Sequence, residues 1–291
     1  MAKITDICNE YPDKTLVICD FSPPRGVSSK LLEQANTLHA NWISVAYNPG
    51  KSPRISSPIA AHWIKSNVRK DVVFTIAARD MNKLAIQSLL IGAGLLELDN
   101  VIVVQGDKFT RHELNSVKVV NDYNSTELIK SIKLLNQGKD FRGYQIQAPS
   151  KFCIGATVEL GLNLTKEARL TKRKIDAGAD FLITQPTFIY NKPSEFVRVY
   201  ESENQETLKV PIFIGVQIMV QDGVTFGPIP NWVTESVSDG CSGDEIALKI
   251  LSQHIKDGFR HFYLVPGIHK GGKRDYKSAQ KVIDSINTIE Q

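Results

Sequence analysis

The chain has 291 residues, 42% of them hydrophobic and 23% charged, with a net charge of +4. That composition belongs to a globular protein and excludes a disordered or collagen-like chain. Lysines and arginines are spread along the sequence, with one short basic run at 270–274, so nucleic acid is not expected as a partner, while a small anionic ligand is compatible. The four cysteines, Cys8, Cys19, Cys153 and Cys241, form no C-x-x-C pair, which argues against a disulfide framework and a structural zinc site. The six histidines show no H-x-H or H-E-x-x-H spacing, so metal binding is not expected. No window reaches the roughly 18 apolar residues of a membrane span. A cytoplasmic protein is the expectation.

Short β-branched runs alternate with longer amphipathic stretches along the whole chain, the pattern of parallel strands joined by helical crossovers. In chain order the predicted strands are 15–21, 42–47, 72–77, 101–105, 152–157, 180–184, 211–216 and 261–265. The predicted helices between and after them are 29–39, 58–68, 82–96, 125–136, 166–177, 192–203, 244–257 and 275–288. No Pro/Ser/Gly linker interrupts the alternation, so residues 1–291 are expected to form one domain. Eight βα units with no G-x-G-x-x-G after the first strand favour a closed (β/α)₈ TIM barrel of about 250 residues over an open dinucleotide-binding sheet.

In such a barrel the chemistry sits in the loops after the C-terminal strand ends. Three polar residues occupy such places: Asp20 in Cys-Asp-Phe-Ser-Pro-Pro-Arg, Asp107 in Val-Val-Gln-Gly-Asp, and Gln185 in Leu-Ile-Thr-Gln-Pro. Asp20, flanked by Ile18, Cys19 and Phe21, suits proton donation from a partly desolvated site. Each residue also has a plainer reading, as a turn, cap or loop-bonding group. Asp80, in Ala-Arg-Asp-Met-Asn, is expected to cap the helix that follows it. The loop 267–274 after the last strand is read equally as a phosphate site or as a solvated basic loop.

These segments resemble the methylenetetrahydrofolate reductase family. The most specific match is Lys172-Arg-Lys-Ile-Asp-Ala-Gly-Ala-Asp-Phe-Leu-Ile-Thr-Gln-Pro-Thr-Phe188, similar to the family's K-x-D-A-G-A-x-x-x-x-T-Q-x-x-F stretch. Phe21-Ser-Pro-Pro-Arg25, Ala85-Ile-Gln-Ser-Leu-Leu-Ile-Gly-Ala93, the segment 101–107 and Pro211-Ile-Phe-Ile-Gly215 support it in the same order. The likeness fades after about Gly223.

The resemblance implies an oxidoreductase that reduces the methylene bridge of 5,10-methylenetetrahydrofolate, or of a related tetrahydropterin, to a 5-methyl group, with NADH or NADPH as electron donor through FAD. It places Asp20 as the acid, Asp107 beside substrate and flavin, and Gln185 on the pterin. It places Gly106 and Asp107, with Glu167 and Lys174, among the FAD-binding residues. The chain departs from the family at Asp20, where glutamate is usual, and at Ala46, Thr75 and Gln105, where a threonine, a histidine and an arginine are usual around the flavin. FAD is therefore expected to bind less firmly than is normal for the family, or to be replaced by direct transfer from a nicotinamide or deazaflavin. Two other readings stand beside this one: a pterin-binding methyltransferase barrel, and a non-catalytic subunit needing a partner. A homo-oligomer is compatible with either.

Overall fold

The computed structural model describes residues 2–161 and 163–289. Strands β1 (Leu16–Phe21), β2 (Trp42–Val45), β3 (Val72–Ala77), β4 (Asn100–Val104), β5 (Cys153–Val158), β6 (Phe181–Thr184), β7 (Ile212–Gln217) and β8 (His261–Val265) close into one parallel barrel. Closure is made where β1 pairs with β8, Leu16 opposite His261 and Cys19 opposite Leu264. The expected TIM barrel is the fold. Each predicted strand is present: 72–77 and 261–265 match at both ends, and the others differ by one or two residues at one or both ends.

Side-chain alternation sorts the strands into two cores. Residues pointing outward, among them Val17, Cys19, Ile43, Phe74, Val101, Ile154 and Leu182, pack under the surrounding helices. Residues pointing inward, Leu16, Ile18, Trp42, Val73, Ile102, Cys153, Phe181, Ile183 and Phe213, fill the barrel itself. The large rings interlock: Phe181 meets Phe213 edge-on at 5.9 Å, Trp42 meets Phe213 at 6.2 Å, and His261 stacks on Phe213 at 5.1 Å. Gly155 makes room for them, since a Cβ there would lie 2.4 Å from the Phe181 ring.

The inward set is apolar at the N-terminal end and turns polar toward the C-terminal end. Ile18 gives way to Asp20 and Trp42 to Ser44, while Val73 is followed by Thr75 and Gly155 by Thr157. The strand period of two thus aims these polar groups into the barrel mouth.

Helix α1 (Ile4–Glu10), which the sequence pattern did not predict, plugs the other end. Ile4 and Cys8 join the interior core, and Asn100 ties the helix to the barrel by accepting from the Ile4 N–H at 3.0 Å and donating to the Ala2 and Val72 carbonyls. The crossovers include α2 (Ser29–Leu32), α3 (Ser57–Trp63), α4 (Lys83–Leu95), α5 (Ser125–Asn136), α6 (Leu164–Asp176) and α7 (Lys192–Asn204). After β7 come α8 (Asn231–Ser238) and α9 (Gly243–Lys256), and after β8 comes α10 (Tyr276–Ile289). The predicted helix 29–39 is a short α segment continued by a 3₁₀ turn, and the predicted 58–68 ends in a π turn. Helix α8, which follows Pro228 and Pro230, lies outside the predicted helices. Asp80 does not cap α4. Asn82 does, accepting from the Ala85 N–H at 2.9 Å, while Asp80 binds Arg79. No helix among the described residues is long and apolar enough to cross a membrane.

Between β8 and α10 the chain forms a small hairpin, β9 (Gly267–Ile268) with β10 (Arg274–Asp275). Its turn holds two successive glycines with left-handed backbone, Gly271 (φ 85°) and Gly272 (φ 86°). That conformation favours glycine.

His254 on α9 is fully buried, and both ring nitrogens lack a hydrogen-bond partner among the described residues. Burial lowers its pKa to about 4, and that of His261 likewise to about 4. Both are neutral in the fold, and the unfolded chain takes up their protons once the pH falls below about 6.5. Stability should be flat above that value and decline as pH falls toward 4, by up to roughly 3 kcal/mol for His254. Urea unfolding across this range checks it, and His254→Phe should flatten part of the slope.

Candidate active site

Asp20 ends β1 with its side chain inside the barrel and is only 5% exposed. Tyr263 of β8 donates to its Oδ1 at 3.1 Å, and Ser44 of β2 lies 3.3 Å from the same tyrosine hydroxyl. Its Oδ2 is 3.0 Å from Nη2 of Arg274 as an ion pair, without the alignment of a hydrogen bond. Arg274 also donates from Nε to Ser22 Oγ at 2.9 Å. The hairpin thus brings a guanidinium back onto the end of the first strand. Tyr276 supports the junction by stacking on Phe21 at 5.0 Å and accepting from the Ser22 N–H at 3.0 Å. Burial, and next the charge of Asp20, push the Tyr263 hydroxyl well above its usual range, so it acts as a donor here. Asp20 is therefore one member of a buried ion pair, where the sequence pattern suggested an isolated carboxyl.

Asp20 forms part of a cavity of about 370 Å³ at the C-terminal mouth, a volume suited to a small-molecule ligand. Gly106, Asp107 and Gln185 line the same cavity, so four of the residues singled out in the sequence meet there. Gln185 continues the inward alternation of Phe181 and Ile183. Its N–H donates to the Val158 carbonyl at 2.8 Å, and its side-chain amide makes no hydrogen bond among the described residues. Gly215 lets β7 pass this turn, because a Cβ there would lie 2.4 Å from the Thr184 carbonyl oxygen. On the same side Gln217, 1% exposed, donates to the Val224 carbonyl and accepts from the Phe226 N–H. This holds the loop that carries Phe226, which also lines the cavity.

Asp107 is exposed in the loop after β4, following Gly106 in left-handed backbone (φ 90°). Arg79 clamps this loop. It donates to the Asp107 carbonyl, is paired with Asp80, and lies 3.9 Å over the Phe109 ring. Lys51 from the β2 loop reaches across to Glu113 at 2.7 Å. That contact, followed by the Thr110 N–H, holds the Glu113 carboxyl down at about 2. The β2 and β4 loops are therefore strapped together at the cavity rim.

The structure does not bring Glu167 and Lys174 to the cavity. Both lie on α6, are 6% and 5% exposed, and pair with each other at 3.4 Å. Lys174 also donates to the Thr157 carbonyl at 2.6 Å. Burial raises the Glu167 pKa and lowers that of Lys174. Gln105 is committed to Asn121 and to the Ser125 N–H, while Ala46 and Thr75 present short side chains to the cavity. The cations around the cavity, Lys51, Arg79 and Arg274, each face a carboxylate. These residues do not fit FAD as the resemblance places it.

Sequence reasoning missed Tyr263, Arg274, Arg79 and Lys51. Alternation along 261–265 marks Tyr263 as sharing a face with His261. Arg79, next to the Asp80 that drew attention as a cap, stands at a C-terminal strand end. Arg274 was visible only as part of a basic run, and Lys51 carried no mark.

The family described as Methylenetetrahydrofolate reductase matches residues 3–238, most of the chain. The chain belongs to the methylenetetrahydrofolate reductase family. Tyr263 and Arg274, which hold Asp20, lie beyond the span matched to that family. No curated protein matches the chain. Among solved structures, an uncharacterized protein from Clostridium thermocellum superposes with a TM-score of 0.68 at 12% identity, over 98% of this chain and 100% of that one. Its structure is described as binding two copies of 5-methyl-5,6,7,8-tetrahydrofolic acid. At that identity the likeness bears on the fold, which is the family's barrel.

Removing one member of a buried pair leaves an uncompensated charge, at a cost of roughly 3–5 kcal/mol. Lys174→Met should therefore lower stability by about that amount in denaturant unfolding. Replacing Glu167 by Gln in the same variant should recover part of the loss. Unchanged stability in Lys174→Met would show that the pair does not support α6.

Proposed function

We propose that this protein binds a reduced tetrahydropterin in the barrel-mouth cavity and reduces its one-carbon bridge from methylene to methyl, with residues 1–291 acting as one catalytic unit. The observation that carries the reading is the convergence of Asp20, Asp107 and Gln185 on one cavity in a barrel of this family. The tetrahydrofolate bound by the Clostridium thermocellum protein supports a pterin ligand for this fold.

The residues divide the work by chemistry. The amide of Gln185 both donates and accepts, which matches the mixed edge of a pterin ring. Asp107, as an acceptor on the loop after β4, takes ring N–H donors. Asp20 lies deepest, and its carboxylate takes up a proton from water in the cavity and passes it to N10. Opening the five-membered ring breaks the bond between the bridging carbon and N10, puts a proton on N10, and leaves an iminium at N5. Hydride then adds to the iminium carbon and completes the methyl group. Tyr263 and Arg274 fix the Asp20 carboxylate, so its oxygens do not need to be oriented during the reaction. The hydride comes from a reduced nicotinamide or deazaflavin entering the cavity.

The short side chains of Ala46 and Thr75 and the lack of fit to FAD favour a second reading, in which the same pterin cavity serves methyl transfer. Reduced nicotinamide deuterated at C4 separates the two. Deuterium recovered in the methyl group supports reduction by nicotinamide, and methyl transfer to an acceptor with no label incorporated supports the second reading.

Asp20→Asn keeps the shape but cannot relay a proton and leaves Arg274 without its partner charge, so methylene reduction should fall by about 10²–10⁴-fold while pterin binding persists. Asp20→Glu should retain substantial activity. Wild-type turnover by Asp20→Asn would remove Asp20 from the chemistry. Gln185→Ala should weaken pterin binding by roughly 1–3 kcal/mol in titration calorimetry without changing the unfolding transition. Unchanged affinity would make Gln185 a structural residue.

A further inference from the structure

Next to the reaction cavity, on the far side of the hairpin, lies a second cleft of about 860 Å³. Its walls come from the loop after β1, the segment around Arg54, the β9–β10 hairpin and the start of α10. Five cationic side chains line it: Arg25, Arg54, Lys273, Arg274 and Lys277. Arg274 is committed to Asp20. The other four pair with no carboxylate among the described residues. Asp275 is the acid in the lining, and it is occupied in capping α10, accepting from the N–H and the hydroxyl of Ser278.

Arg54 shows that the charge is held in place. It is half-buried, with Nη1 donating to the Pro23 carbonyl at 2.7 Å and Nε to the Pro49 carbonyl at 3.3 Å. These bonds leave Nη2 turned toward the hairpin, next to Gly272. Burial, then Arg25 and Arg274, depress its pKa, so the guanidinium sits under like-charge pressure that a bound anion would relieve. Concave surfaces lined by one sign of charge raise the local concentration of the opposite ion. The position is also one that barrels use for phosphate, in the loop after the last strand.

We propose that this cleft is a phosphate-binding site. A carboxylate is met by a single guanidinium fork, whereas a phosphate presents oxygens in several directions and carries more charge. Here uncommitted cations approach from the β1 loop, the Arg54 segment, the hairpin and α10. Arg274 joins the two sites, one face on Asp20 and the other on the cleft, so a ligand with a phosphate end has the reaction cavity within reach. The source is either free phosphate or the phosphate end of a nucleotide that supplies hydride. The site itself does not depend on the pterin reading.

The test uses the full chain at neutral pH and constant ionic strength, because exposed charges are screened by salt. Calorimetric titration with pyrophosphate should give saturable binding, and citrate should bind distinctly more weakly. Lys273→Ala combined with Lys277→Ala, both exposed positions, should lower pyrophosphate affinity by about tenfold or more. Arg25→Ala, scored separately, should act in the same direction. Competition then identifies the source: displacement of NADPH by pyrophosphate assigns the cleft to a nucleotide, and binding without competition assigns it to free phosphate. No saturable binding, equal affinity for citrate, or unchanged affinity in the variants would make the cleft a solvated basic surface. A failure to bind tetrahydropterin would count against the proposed function and leave this result standing.

Discussion

The ion pair between Asp20 and Arg274 joins the first strand to the last hairpin, and the mouth of the barrel is organised around it. Both side chains are less than a tenth exposed. Desolvating two charges costs several kcal/mol for each ion, and their attraction repays it only when the geometry is good and the remaining polar atoms are satisfied. Here Tyr263 satisfies Asp20 Oδ1 and Ser22 satisfies Arg274 Nε, while Asp20 Oδ2 has the charge of Arg274 and no hydrogen bond among the described residues. An interaction of this kind contributes little net stability. Its consequence is specificity of position, since the hairpin, the start of α10 and the loop after β1 are all fixed relative to the Asp20 carboxylate. The same guanidinium forms the wall between the barrel-mouth cavity and the basic cleft.

The ion pair can exist there because closure of the barrel sorts side chains by parity. Inward positions at the N-terminal end are occupied by Ile18, Trp42, Val73, Phe181 and Phe213, which pack against one another beneath the mouth. Polar residues at the same parity further along, Asp20, Thr75 and Thr157, then face the cavity. One end of the barrel supplies cohesion, and the other is free to carry chemistry.

The same alternation explains what could be read from the sequence. The strands were legible because each is a short buried run bounded by turn residues, and Asp20 and Gln185 because they extend the inward parity past the last apolar residue. Helix α1 was not legible, being short and held by tertiary contacts to Asn100 and the interior core. Arg274 was hidden for a related reason. Its role depends on a hairpin with two left-handed glycines that turns the chain back onto β1, and no local pattern in 267–275 encodes that destination. Glu167 and Lys174 show the converse. The family resemblance singled them out, yet burial commits each to the other.

In the proposed function a tetrahydropterin occupies the barrel-mouth cavity with its reacting ring above Asp20. A crystal structure of the protein with 5-methyltetrahydrofolate tests this placement most directly. The pterin edge is expected within hydrogen-bond distance of Gln185 and Asp107, with N5 facing the Asp20–Arg274 pair and the benzoyl-glutamate portion leaving past Phe226. A pterin lodged elsewhere, or in the cavity with its ring turned away from Asp20 and Gln185, would contradict it.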